Sequence, residues 1–175
     1  MVSLDIDHDA LYADISNYII GIIPEAAGTK VAGGWKDRQV VKSAQNQAAL
    51  PFNAIVMSIL MDNDLDYGVV SYDPKNSKAA VQNSVKVRLQ LSFYGKQAEK
   101  RSRMVDTLWR TLYGAENLKL CKPLYVHSRE RHPYINESNQ YEERYLLDLA
   151  LQYNPQVVYA QDFTGSAEIE ITPVK

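Results

Sequence analysis

Val85-Lys86-Val87-Arg88-Leu89-Gln90-Leu91-Ser92-Phe93 reads as one strand with a dry face and a wet face. Val85, Val87, Leu89, Leu91 and Phe93 fall on one side, and Lys86, Arg88, Gln90 and Ser92 on the other. Successive side chains of a strand point to opposite faces, so this strict alternation marks a sheet buried on one side. Tyr94-Gly95 interrupts it, and from Lys96 the period lengthens. Ala98, Arg101, Val105, Leu108 and Leu112 recur at three- and four-residue steps. That spacing predicts an amphipathic helix over 96–113, with Gly114 as its C-cap. A strand feeding into a helix buries both apolar faces when the helix folds back onto it.

Working outward, Asp7 or Asp5 is placed to cap a first helix over 8–20, with Leu11, Ile15, Tyr18 and Ile19 as its apolar stripe. Gly21 to Pro24 ends it. The stretch 25–50 shows little beyond a short strand at Val40-Val41. Residues 53–61 have almost no polar face and predict a strand covered on both sides, with Pro51 at its mouth. A further strand over 67–72 pairs with 85–93 on this reading, which makes 73–84 an unusually long hairpin tip. Leu118 to Val126 predicts a strand near a sheet edge, because Pro123 interrupts it. Residues 128–141 read as a polar arm or loop, 145–153 as a long strand, and 156–160 and 167–171 as further strands. The sum is a single α+β domain over 1–175, with a mostly antiparallel sheet of about five or six strands, two helices and a long-tipped hairpin.

The chain has 175 residues, the size of one ordinary domain. Its formal net charge of −2 argues against a protein that grips nucleic acid in bulk, which needs a basic surface. Cys121 is the only cysteine, so neither an internal disulfide nor a thiolate zinc site can form. The apolar run 18–23 is too short to cross a bilayer, and no secretory signal opens the sequence. Twelve Tyr against three Phe favours interfaces and half-buried strands, where a ring with a polar tip fits.

Motifs for chemistry are scarce. His127 and His132 have no zinc-type spacing, and two surface histidines on a charged segment are the simpler reading. Asp62, Asp64 and Asp66 have the first spacings of a calcium loop, but Gly68 falls one place late and strands flank the segment. No phosphate-cradling glycine loop or nucleophile elbow occurs, and no cofactor is predicted. One charged pattern stands out: Lys96, Lys100, Arg103 and Arg110 line the predicted central helix opposite its apolar stripe. It reads either as a solvated face or as a docking stripe, with Trp109 between the two faces as an interface anchor. Tyr72, Lys75 and Lys78 on the tip, and Arg129, Arg131, Tyr134 and Tyr141 on the arm, complete the candidate contact residues.

The order of segments carries a family resemblance. Gln47-Ala48-Ala49-Leu50-Pro51 leads into an apolar strand. Phe93-Tyr94-Gly95-Lys96-Gln97-Ala98 joins hairpin to helix. His132-Pro133-Tyr134-Ile135-Asn136 and Gln140-Tyr141-Glu142-Glu143-Arg144 precede the last long strand. Over about 45–154 the chain resembles the neck or tail-terminator proteins of tailed bacteriophages. The resemblance implies a non-enzymatic virion subunit, assembled in the host cytoplasm. It forms a ring of about six copies at the head-tail neck, between the connector or adaptor and the tail tube or sheath. DNA then passes through the lumen as cargo. Two other readings stay open: another tail-completion or baseplate-type component, and a small hydrolytic enzyme using His127, His132 and Glu142 or Glu143.

Overall fold

The computed structural model describes residues 2–31, 34–43, 50–135, 139 and 141–162. The chain begins with β1 (Ser3–Leu4) and α1 (His8–Ile22), followed by a 3₁₀ turn and the short strands β2 (Thr29–Val31), β3 (Gly34–Lys36) and β4 (Val40–Lys42). Next come β5 (Ile55–Asp64), β6 (Val69–Asp73), β7 (Lys78–Gln82) and β8 (Val85–Tyr94), then α2 (Ala98–Trp109) and α3 (Leu112–Asn117). The rest is β9 (Cys121–Arg131), β10 (Tyr134–Ile135), β11 (Tyr141–Glu142), β12 (Arg144–Tyr153) and β13 (Gln156–Ala160). The class is α+β, and every strand pairing among the described residues is antiparallel except that of β4 with β5.

β8 is the centre of a five-stranded sheet ordered β4-β5-β8-β12-β9. Its apolar positions meet apolar positions on both sides: Leu89 lies opposite Ile59 and Leu149, and Leu91 opposite Met57 and Leu147. Leu89, Leu91, Phe93, Leu147 and Leu149 are fully buried, in one core with Leu11, Ile15 and Ile19 of α1 and Val105 and Trp109 of α2. Asp7 caps α1 as its type predicts, its Oδ1 accepting the Ala10 N–H at 2.8 Å. On the opposite sheet face Asp148 accepts from Arg88 at 2.6 Å and from Gln90 at 2.9 Å, so the polar half of the alternation satisfies itself across strands.

The predicted hairpin is rearranged. β8 pairs with β5 and β12, not with 67–72. Residues 73–84 do not form a loose tip: they hold a 3₁₀ turn at Pro74–Asn76 and the whole of β7. Asp73 caps that turn, accepting from the Asn76 side chain at 2.6 Å and from the Lys75 and Asn76 amides. β7 is a short Lys-Ala-Ala-Val-Gln run whose strand character comes from its ladders to β6 and β13, not from its own apolar content.

β6, β7, β13 and β1 make a second sheet, in the order β1-β13-β7-β6. Its three longer strands continue those of the main sheet: β5 leads to β6, β7 leads into β8, and β12 leads to β13. The order β6-β7-β13 therefore repeats β5-β8-β12, and residues 55–94 form one long hairpin bent in the middle. At the bend the Leu65 N–H donates to Ser84 O at 2.7 Å, the Asn83 N–H to Pro155 O at 3.2 Å, and the Ser84 N–H to Asp66 Oδ1 at 3.0 Å. These bonds hold together a point where the sheet ladders lapse. We call the second sheet the blade.

Three further expectations change. The central helix stops at Trp109. Arg110 and Thr111 leave the helix, α3 follows, and Leu112 is 70% exposed instead of extending the buried stripe. Gly114 is then no C-cap. It sits inside α3, where an added Cβ would lie 3.0 Å from Trp109 O and 3.1 Å from Leu108 O, and this closeness lets α3 fold against the end of α2. Among its described residues the polar arm is mostly ladder: β9 continues to Arg131 past two register shifts against β12, with Arg129 opposite Leu147 and Arg131 opposite Tyr145. Pro123 is tolerated because β9 is the sheet's edge, as expected from the sequence. The strand expected over 167–171 lies outside the described residues. Among those described, no helix is long and apolar enough to cross a membrane.

Candidate functional site

Of the four cations expected along the central helix, Lys100 and Arg103 lie on α2, Lys96 sits in the turn before it and Arg110 is its C-cap residue. Lys96, Lys100, Arg103 and Arg110 are all exposed. Arg103 pairs with Glu99 at 3.3 Å and Arg110 with Asp106 at 2.7 Å, both one helical turn away. Among the described residues Lys96 and Lys100 have no ion-pair partner. On the exposed side of α2 lies a shallow hollow of about 390 Å³, lined by Glu99, Lys100, Arg103, Met104, Thr107 and Leu108. Its floor is apolar and its rim carries the cations.

Trp109 is not on this face. It is 1% exposed and donates its indole N–H to Ala150 O at 3.3 Å, so it packs the core instead of anchoring a neighbour. Arg129 is also drawn inward. It reaches Ser102 Oγ at 3.2 Å and Glu99 at 3.5 Å, and its guanidinium lies 5.4 Å from the Tyr145 ring centre, which clamps β9 to α2. Arg131 forms a two-toothed pair with Glu143 that holds the Glu143 carboxyl below its usual range. Tyr134 donates to Glu142 at 2.7 Å and packs edge-on against Tyr94; burial, then the Glu142 bond, pushes its hydroxyl up to about 12. Tyr141 stands exposed, and Tyr72, Lys75 and Lys78 are exposed at the far end of the blade.

The residues of the enzyme reading do not converge. His127 stacks edge-on with Tyr125, His132 contacts Glu130 at 3.0 Å, Glu142 serves Tyr134 and Glu143 serves Arg131. No group of metal-ligating side chains gathers among the described residues. Cys121 is buried with its Sγ 4.0 Å from Asp14 Oδ2, and burial, then the Asp14 charge, pushes its thiol up to about 12. A thiol so far from ionising is a poor nucleophile. We expect it to stay unmodified by a thiol reagent in the native protein at neutral pH and to react fully in denaturant; prompt native labelling would show the β9 start to be open.

Two features have no clear signal in the sequence. Arg101 sits on the apolar stripe of α2 and is 3% exposed. It donates to Gln39 Oε1 at 2.9 Å and Asn53 O at 3.0 Å and approaches Glu25 at 3.5 Å, tying α2 to the segment 25–53. The only sign of this is a cation at a core position of the helical period. The second feature is the blade's apolar face. Cross-strand register puts Leu4, Val157, Val81 and Val70 in one row and Tyr159 and Tyr72 in the next, all on one side. Among the described residues no helix packs on these rows. Where this face meets the main sheet lies a cleft of about 340 Å³, with Leu4, Val81 and Val157 on one wall and Asp62, Asp64 and Tyr153 on the other. Burial, then the Asp62 and Asp64 charges, raises the Tyr153 hydroxyl.

The described residues present two unlike exposed surfaces: an apolar blade with an acidic root, and a helix face with Lys100 and Arg103 at its rim. Such an arrangement defines an assembly subunit more readily than a reactive centre. The family model of the phage neck terminator protein matches residues 9–174, and the chain belongs to that family. It is a structural, tail-completing component of the virion neck that associates with other tail or head proteins. Comparison with curated proteins finds no match.

Proposed function

We propose that this neck terminator acts as a ring subunit. Copies join head to tail into a closed ring of about six, with DNA passing through the lumen. One side of the ring seats on the connector and the other ends the tail tube. The observation that carries this reading is the outer strand of the blade. All five residues of β6 are exposed, Val69 and Tyr72 by 65% and 59%, and Tyr67 just before it by 99%. Among the described residues β6 is the end strand of its sheet, and no proline or lysine within it and no bulge in its ladder to β7 blunts that edge. A protein that remained alone would be expected to guard such an edge, and exposed apolar patches of this kind mark interaction sites. The net charge of −2 suits a channel wall that lets DNA slide. Native mass spectrometry and negative-stain images of the purified protein test the proposal. A discrete closed oligomer near six subunits is expected. A monomer at every concentration, with no ring at the neck of the assembled particle, would overturn it.

A further inference from the structure

We infer that the blade of one copy docks on the α2 face of the next, with Asp62 and Asp64 meeting Lys96 and Lys100 around a shared apolar centre. The inference deepens the ring reading and rests on it, because it names the two halves of the joint.

The two surfaces match in kind. The blade offers an apolar sheet face, with Val70 and Val157 44% and 37% exposed, and carboxylates at its root. The α2 hollow offers Met104 and Leu108 on its floor and Lys100 and Arg103 on its rim, where Glu99 is already engaged by Arg103 and Arg129. Asp64, like Lys96 and Lys100, has no ion-pair partner among the described residues. Asp62 has only His8, at 3.3 Å. Oppositely charged rims around apolar centres are the usual anatomy of a specific contact, and they set the register of the partners.

Position decides between copies. Val85, at one end of β8, lines the acidic cleft, whereas Lys96 follows its other end. Ten residues of strand span about 33 Å, so one chain cannot bring its own two halves together. A second copy can, and its opposite end remains open to a third. Two different patches joined this way make a heterologous contact, the kind that closes into a ring by rotation. DNA is a poor occupant for the blade, because its phosphates would face Asp62 and Asp64.

Charge reversal at either half tests the joint. Both sites are exposed, so circular dichroism and thermal unfolding of Asp64→Lys and Lys100→Glu should match the parent protein. Each variant alone should need at least about tenfold more protein to assemble. Mixing the two should restore assembly in a strict one-to-one ratio, since every junction then pairs opposite charges again. Native mass spectrometry reads that ratio directly. If the parent protein assembles and Asp64→Lys assembles equally well, the named joint is wrong while the ring stands. The joint is equally wrong if the mixture shows no rescue, or if the variants lose only attachment to another neck protein. If the parent chain itself never assembles, the ring reading fails first and takes the joint with it.

Discussion

Trp109→Ala lowers the stability of the fold by about 3–5 kcal/mol, the range for removing a fully buried large aromatic. The indole fills the space between α2 and the main sheet, donates to Ala150 O, and meets Tyr18 of α1 edge-on at 5.7 Å. Truncation therefore removes packing against two elements at once and leaves a cavity where they meet. Urea denaturation followed by far-ultraviolet circular dichroism measures the loss. Trp109→Phe keeps most of the ring volume and gives up the hydrogen bond, so it should cost well under half as much. The same experiment separates the core role from the interface role that the sequence suggests. An interface anchor would leave the denaturation midpoint unmoved and weaken assembly. A loss below about 1 kcal/mol for the alanine variant would overturn the packing argument.

Asp14→Ala should be the second large effect, at about 2–4 kcal/mol. Asp14 lies on α1 with its side chain buried, and its Oδ2 accepts the Lys119 and Leu120 amides, each at 2.9 Å. One carboxylate thus joins the first helix to the start of β9, more than a hundred residues later in the chain. Alanine leaves both amides without that acceptor at a half-buried site, whereas Asp14→Asn keeps one oxygen in place and should recover roughly half the loss. Cys121 reports on the same spot. Freed from the Asp14 latch, the β9 start should open more often, and native thiol labelling should speed up in Asp14→Ala. Unchanged labelling together with unchanged stability would show that the two amides find another partner.

Both residues show what a pattern can reveal and what it cannot. Trp109 falls between the apolar and charged faces of an idealised helix, so period alone leaves its side open. The helix's end at Trp109 and the approach of Gly114 settle it, because they turn the last residue of α2 toward the sheet. Asp14 offers no signal, since a single acid on the first helix is ordinary until β9 arrives beside it. Arg101 is visible as an oddity on the apolar stripe but has no meaning without Gln39, Asn53 and Glu25, which no local rule connects to it.

The strands divide in the same way. Residues 85–93 and 145–153 announce themselves because each is buried strongly enough to impose its own pattern. The stretch 53–61 reads as covered on both sides and is not: Ile55 and Met57 are buried, but Leu60 and Met61 are about half exposed where β5 runs out beyond the helices. β7 looks like a loop because two alanines and a valine among polar residues do not identify a strand. The extension of β9 through Ser128 to Arg131 is hidden because its charged side chains match loop composition. They are tolerated there because β9 is an edge, where one side of the ladder faces solvent. Among the candidate contact residues, the exposure of Lys100 and Arg103 follows from helical phase, while the inward turns of Trp109 and Arg129 do not.

From the amino-acid order alone came the α+β class, the central strand and the helix after it, the cap of the first helix and the edge position of Pro123. These depend on neighbours a few residues away, through the period of burial and the geometry of single turns. The bend that turns one long hairpin into a core sheet and a blade arose only in three dimensions. So did the segregation of Asp62 and Asp64 from Lys96 and Lys100 to opposite ends of β8. Such features depend on which distant strands share a ladder, and a ladder forms where the combined burial of both partners is greatest, a quantity that no single segment contains.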